Sequence, residues 1–210
     1  MTTSRPEVPQ SVRPEVFDLE RFNTFVPAEL DAIVADTTAL GFDMSCFDGA
    51  GQLLRLLVST KPGGRFLEIG TGTGVGTAWL RSGMDATSTL TSVELDDSLI
   101  AVARKHLGAD ERLTFVTGDG AEFLRGQRPG TYDLIFADTV PGKYELVRET
   151  LALLKPGGIY AVDDMLPQDD WPADHYPLAA GMVDGLVSLD DVRSVGLTWS
   201  SGLALFTVAR

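Results

Sequence analysis

The pattern that most constrains this chain starts at Arg65. From there, short apolar runs alternate with segments at helical spacing, punctuated by glycine and proline. Arg65–Ile69 reads as a strand and Val75–Ser82 as a helix after a glycine loop. Thr89–Glu94, Leu113–Thr117 and Tyr132–Ala137 read as further strands. Each is followed by a helical segment, at Ser98–Leu107, Ala121–Arg125 and Tyr144–Leu154. Lys155-Pro156-Gly157-Gly158 reads as a turn into a strand at Ile159–Val162. A helix within 174–189 follows, then strands near 192–198 and 203–208 joined by the hairpin signal Ser200-Ser201-Gly202. Strands alternating with helices bury their apolar faces as right-handed βαβ units around a parallel sheet. The closing hairpin adds one antiparallel strand. The fold class is α/β, with helices on both faces of the sheet.

Ahead of this rhythm, residues 1–16 are polar, carry three prolines and read as a flexible arm. Residues 27–40 space Leu30, Ile33, Val34 and Leu40 as one helical face, with Pro27 suited to the first turn. Gly49–Ser59 is a second helix with Leu53, Leu54, Leu56 and Leu57 on its apolar side. Residues 17–210 therefore read as a single domain, with N-terminal helices over 17–60 and a core over 65–210. The single Cys46 rules out an internal disulfide framework and reads as a small semi-buried residue. No secretory h-region and no apolar run near the roughly 18 residues of a membrane span is present. A cytoplasmic protein is the default expectation.

Charge narrows the partners. Seventeen Lys and Arg face thirty Asp and Glu, a formal charge of −13. Between Asp163 and Asp191 there are eight acids and no Lys or Arg. This balance argues against nucleic acid and against anionic membrane surfaces as partners.

Three strand ends carry groups suited to a ligand. The first runs into Glu68-Ile69-Gly70-Thr71-Gly72-Thr73-Gly74, an E-x-G-x-G-x-G loop that opens a backbone-lined crevice at the carboxyl end of the sheet. Neither dinucleotide frame fits, since Val75 and Thr77 stand where the last glycine is required. Glu68 would repel a pyrophosphate and suits a cationic ligand. The second strand ends at Glu94, twenty residues after Gly74, where an acid can accept from two ribose hydroxyls. The third leads to Asp119, which either accepts from an adenine amino group or caps the helix at Ala121.

In that order, these motifs resemble the class I S-adenosylmethionine-dependent methyltransferases, over roughly residues 44–210. Three further elements resemble the catechol and caffeoyl-CoA type O-methyltransferases: Asp48-x-x-Gly51-Gln52-Leu53-Leu54, Phe136-Ala137-Asp138 with Tyr144, and Gly157-Gly158 followed by Asp163-Asp164. The resemblance implies a Rossmann-like seven-stranded sheet with the last strand antiparallel, S-adenosyl-L-methionine as cofactor, a small-molecule substrate and a homodimer. It assigns Met44, Glu68, Gly70, Gly72, Gly74, Glu94, Asp119 and Asp138 to the cofactor.

The family's divalent-cation ligands match Asp138, Asp163 and Asp164, an oxygen-only set suited to Mg²⁺. Two positions depart from the pattern: Asp164 stands in place of Asn, and Pro141 in place of the family lysine. Lys143 lies two residues further on, where a Pro141-Gly142 bend would redirect it. Asp138 and Lys143 are the catalytic candidates, with Lys143 or metal activation alone serving as the base. The other reading of the acids is that Asp138 contacts cofactor or substrate while Asp163 and Asp164 cap a turn. Trp171, His175 and Tyr176 are candidates for a substrate site: Trp171 and Tyr176 to wall an aromatic substrate, against ordinary packing at a helix start, and His175 to act as a base, against simple solvation. Two rival functions stand beside O-methyl transfer: an isoaspartyl-type protein methyltransferase, and a non-catalytic cofactor-binding regulator.

Overall fold

The computed structural model of the chain describes residues 19–167 and 175–209; the expected arm at 1–16 and Trp171 lie outside them. After a 3₁₀ turn at Leu19–Phe22, the N-terminal helices are α1 (Leu30–Leu40) and α2 (Asp48–Ser59). The core then runs β1 (Arg65–Ile69), α3 (Val75–Gly83), β2 (Thr89–Glu94), α4 (Asp97–Leu107), β3 (Leu113–Thr117) and α5 (Gly120–Arg125). It continues through β4 (Tyr132–Ala137), a short helical turn α6 (Val140–Lys143), α7 (Val147–Ala152) and β5 (Leu154–Val162). It closes with α8 (His175–Val187), β6 (Val192–Leu197) and β7 (Leu203–Val208).

The seven strands form one sheet in the order β3-β2-β1-β4-β5-β7-β6. All neighbours from β3 to β5 are parallel, and β7 runs antiparallel to both β5 and β6. Strand order reverses direction between β1 and β4, which opens a crevice at their carboxyl ends.

The strand pleat explains the two layers of core. On β1, Phe66 packs against one helix layer and Leu67 against the other. On β4, Leu134 and Phe136 join Leu54 and Val58 of α2 and Leu80 of α3, while Ile135 and Ala137 join Leu124, Leu151 and Met182 from α5, α7 and α8. Successive side chains point to opposite faces, so a continuous apolar run is buried on both sides. A third cluster ties Leu30 and Ile33 of α1 to the fully buried Trp79 of α3 and to Val102 and Leu107 of α4.

Three local expectations change. Val34 and Leu40 of α1, and Leu56 of α2, are exposed, while Thr37 and Val58 are buried instead. The single helix expected over 144–154 is broken, because Leu146 sits at φ 59°, in left-handed backbone that a helix cannot contain. The Pro156-Gly157-Gly158 turn does not precede β5 but bulges inside it: pairing with β4 starts at Leu154, slips, and resumes at Ile159.

Candidate active site

A cavity of about 500 Å³ lies over the carboxyl ends of β1, β2 and β4. Its floor is the loop after β1. Gly70 has φ 97°, and a Cβ there would stand 2.9 Å from the Asp138 carbonyl oxygen, so two strand ends approach through a residue without a side chain. Gly70 and Gly72 line the cavity; Gly74 does not. A Cβ at Gly74 would lie 2.8 Å from Ala103 Cβ, which makes it the close-packing contact between the loop and α4.

Glu68 is fully buried. Its Oε2 accepts from Thr77 Oγ1 and Ser92 Oγ, both at 2.5 Å, while Oε1 is buried with no hydrogen-bond partner among the described residues. Burial pushes its carboxyl up to about 7. A solitary buried acceptor of this kind costs free energy unless a ligand supplies a donor. Glu94 is held from below: its Oε2 accepts from Gly72 N at 2.8 Å, and its Oε1 accepts from Leu95 N and Asp96 N. Those amides fix the carboxylate at the cavity wall. Met44, exposed at the opposite rim, lines the cavity together with Phe42, Cys46 and Phe47 from the α1–α2 connection.

The acidic side of the cavity joins β4 to β5. One carboxylate oxygen from each of Asp138, Asp163 and Asp164 lies within 4.8 Å of the others. Burial raises the pKa of Asp138 well above the usual carboxylate range, and its two acidic neighbours add to the rise. Burial also raises Asp163, against the opposing hydrogen bond from Ser201. Asp164 adopts φ 52°, the left-handed region that Asn and Asp tolerate best among side-chain-bearing residues. Three converging carboxylates need protons or a cation to offset their repulsion.

Lys143 supplies one charge. Pro141 (ψ 132°) and Gly142 (φ 81°) interrupt α6 with non-helical backbone, and this bend turns Lys143 inward. The lysine is 3% exposed, and its Nζ is 3.4 Å from Asp164 Oδ2 and 5.4 Å from the centroid of the Tyr144 ring. Next to it, Tyr144 Oη is 2.6 Å from His175 Nε2, the first residue of α8, and the two rings meet edge to face. Lys143, Tyr144 and His175 all line the same cavity as Asp138 and Asp164.

Of the residues singled out in the sequence, Met44, Glu68, Gly70, Gly72, Glu94, Asp138, Lys143, Asp164 and His175 thus meet at one cavity. Asp163 stands 1% exposed in the carboxylate cluster behind it. Asp119 lies away from the lining: its Oδ1 caps α5 by accepting from Ala121 N at 2.6 Å and Glu122 N at 3.1 Å. Tyr176 is 64% exposed and does not line the cavity. Ser201 was not foreseen as a site residue. The β6–β7 turn carries its hydroxyl onto Asp163 Oδ1, a contact that a hairpin signal in sequence does not encode.

Residues 67–165 match a methyltransferase domain family. The chain is 32% identical over 117 residues to the "Probable O-methyltransferase" of Mycobacterium tuberculosis, an alignment that covers 53% of this chain and 52% of that protein. It spans about half the length of the curated relatives it matches. In fold it is similar to the O-methyltransferase TomG of Streptomyces achromogenes, which is involved in tomaymycin synthesis and was solved with S-adenosylmethionine. The TM-score there is 0.78 at 22% identity, over 91% of this chain and 94% of that one. The O-methyltransferase of Bacillus cereus, solved with S-adenosylhomocysteine, also has a TM-score of 0.78, at 20% identity over 90% of this chain and 94% of that one. At these identities the structural likeness is one of fold.

Proposed function

We propose that the chain is a class I S-adenosylmethionine-dependent methyltransferase that transfers the sulfonium methyl group to a hydroxyl of a small molecule, in the first place a catechol-like phenol; its residue 67–165 segment matches a methyltransferase domain family, and its fold is similar to that of an O-methyltransferase solved with S-adenosylmethionine. The observation that carries this reading is convergence. A single cavity joins the glycine loop and Glu94 to Asp138, Asp164 and Lys143. A cofactor seated on the loop would bring its sulfonium toward the acidic side, where a hydroxyl can be held for in-line attack.

Each residue then has a chemical task. Glu94 accepts from the ribose hydroxyls, and the backbone of Gly70 and Gly72 lets the cofactor lie close. Glu68 Oε1, without a partner among the described residues, suits the cationic methionyl end, which Met44 covers from the rim. Asp119 caps α5 through Oδ1 and lies outside the cavity lining, so this reading gives it no contact with the cofactor. Asp138, Asp163 and Asp164 fit a hard divalent cation such as Mg²⁺, since they offer oxygen ligands only. Such an ion, when bound, would lower the pKa of a coordinated hydroxyl. Lys143 holds Asp164 and neutralises part of the cluster whether or not an ion is present. The same reading extends to a cytoplasmic homodimer, which gel filtration with light scattering would check.

The direct test is calorimetry with S-adenosylhomocysteine, followed by methylation assays on a catechol panel with and without Mg²⁺. Absence of binding at millimolar ligand removes the cofactor reading. Binding without methylation of any hydroxyl removes the substrate class.

A further inference from the structure

The Tyr144–His175 contact is not used by the reading above. Lys143 is committed to Asp164 at 3.4 Å, and Asp163 already accepts from Ser201 Oγ and from Asp164 N. That leaves the question of where the substrate's proton goes. Tyr144 reaches the cavity from the segment after α6 and His175 from the first turn of α8, and they meet at 2.6 Å beside Asp138, Asp164 and Lys143. A phenol in this position has a lone pair for an incoming hydroxyl and a proton for the imidazole behind it.

We propose that Tyr144 and His175 form a proton relay that takes the substrate's hydroxyl proton during methyl transfer. The inference rests on the hydroxyl-methylating reading above. The substrate oxygen attacks the methyl carbon, a C–O bond forms, and the C–S bond breaks with its electron pair retained on sulfur as a neutral thioether. The substrate proton passes to the Tyr144 oxygen as the Tyr144 proton moves to His175 Nε2. The imidazolium then returns that proton to solvent. Tyr144 touches the substrate; His175 acts through it, as the neutral tautomer protonated on Nδ1.

A relay of this kind matters only for a hydroxyl that enters with its proton. The test therefore compares catechol with 4-nitrocatechol, which is largely ionised at a mildly alkaline assay pH. Single-turnover methylation with S-adenosylmethionine reads the chemical step. His175→Gln and Tyr144→Phe are expected to slow catechol by about a hundredfold, within the range of general-base contributions. They should slow 4-nitrocatechol by less than about threefold. KM for catechol should stay within about threefold, and added imidazole should restore part of the rate to His175→Ala. Calorimetry with S-adenosylhomocysteine checks that each variant retains a folded site. An equal loss on both phenols, or no loss on catechol, overturns the relay. If the wild-type chain binds S-adenosylhomocysteine yet methylates neither phenol, the hydroxyl reading fails and the relay with it. The two failures are distinguishable, since one appears in the wild type and the other only in the variants.

Discussion

Glu68 places a carboxyl where water does not reach, and its acidity makes stability depend on pH. Its ordinary value is 4.5, and burial pushes it up to about 7 in the folded chain. Between those values the folded state holds a proton that the unfolded state has released. Stability from this group is therefore fully present below about 4.5 and lost as pH rises through about 7. The gap corresponds to at most about 3 kcal/mol. Glu68→Gln, which mimics the protonated form, should flatten the pH dependence. Urea denaturation at pH 5 and pH 8 is expected to show the wild type losing up to about 3 kcal/mol more than the variant. Equal slopes would mean that Glu68 ionises freely in the folded chain. Glu94 is fixed in place by its two oxygens, which accept from three backbone amides. Glu94→Ala should weaken S-adenosylhomocysteine binding by about 1–3 kcal/mol, the scale for losing hydrogen bonds to a charged group. Unchanged affinity in calorimetry would remove Glu94 from the cofactor site.

Elements deliver these residues, and two glycines show how. Gly142 carries φ 81° at the bend that points Lys143 inward. Gly142→Ala should cost about 1–2 kcal/mol in left-handed strain. If the bend relaxes, Lys143 leaves Asp164 and methylation falls, whereas Lys143→Arg keeps the bend and tests the charge alone. At Gly51 a Cβ would stand 2.3 Å from the Trp79 ring, so α2 and α3 touch through the glycine itself. Gly51→Ala should destabilise the chain by about 1–3 kcal/mol through overpacking, with cofactor affinity largely kept in the folded fraction. Chemical denaturation and calorimetry on the same sample separate the two effects. Strand and helix order was legible because β1 and β4 are buried on both faces and punctuated by glycine. The inward turn of Lys143 was legible too, since Pro141-Gly142 disfavours continued helix. What local pattern could not carry was long-range closure. Ser201 meets Asp163 across 38 positions, and Tyr144 meets His175 across 31. Neither spacing has a periodicity, and each contact depends on how the β6–β7 hairpin or α8 returns to the sheet. Asp119 shows the converse, because its helix cap is a local signal and was legible, whereas its distance from the cavity lining was not.

At the scale of the whole molecule, the cavity draws on most of the core. The β1 loop, the ends of β2, β4 and β5, the α1–α2 connection and the start of α8 all contribute to its wall. A ligand bound there stabilises the folded state and not the unfolded one. At about 100 times Kd this amounts to about 2.7 kcal/mol. For a chain of this size each kcal/mol moves the midpoint by about 2–4 °C, so S-adenosylhomocysteine should raise Tm by about 5–10 °C. Mg²⁺ should add a further increment only if Asp138, Asp163 and Asp164 hold it together. The net charge of −13 complicates that reading, because any added salt relieves self-repulsion across the surface. A NaCl control at matched ionic strength isolates the site-specific part. Asp163→Asn should then abolish the Mg²⁺ increment while preserving the S-adenosylhomocysteine shift, since Asp163 lies behind the cofactor side of the cavity, against Ser201. An Mg²⁺ increment that survives Asp163→Asn, or that NaCl reproduces, would assign the cation effect to bulk charge and leave Lys143 as the counter-charge of the cluster.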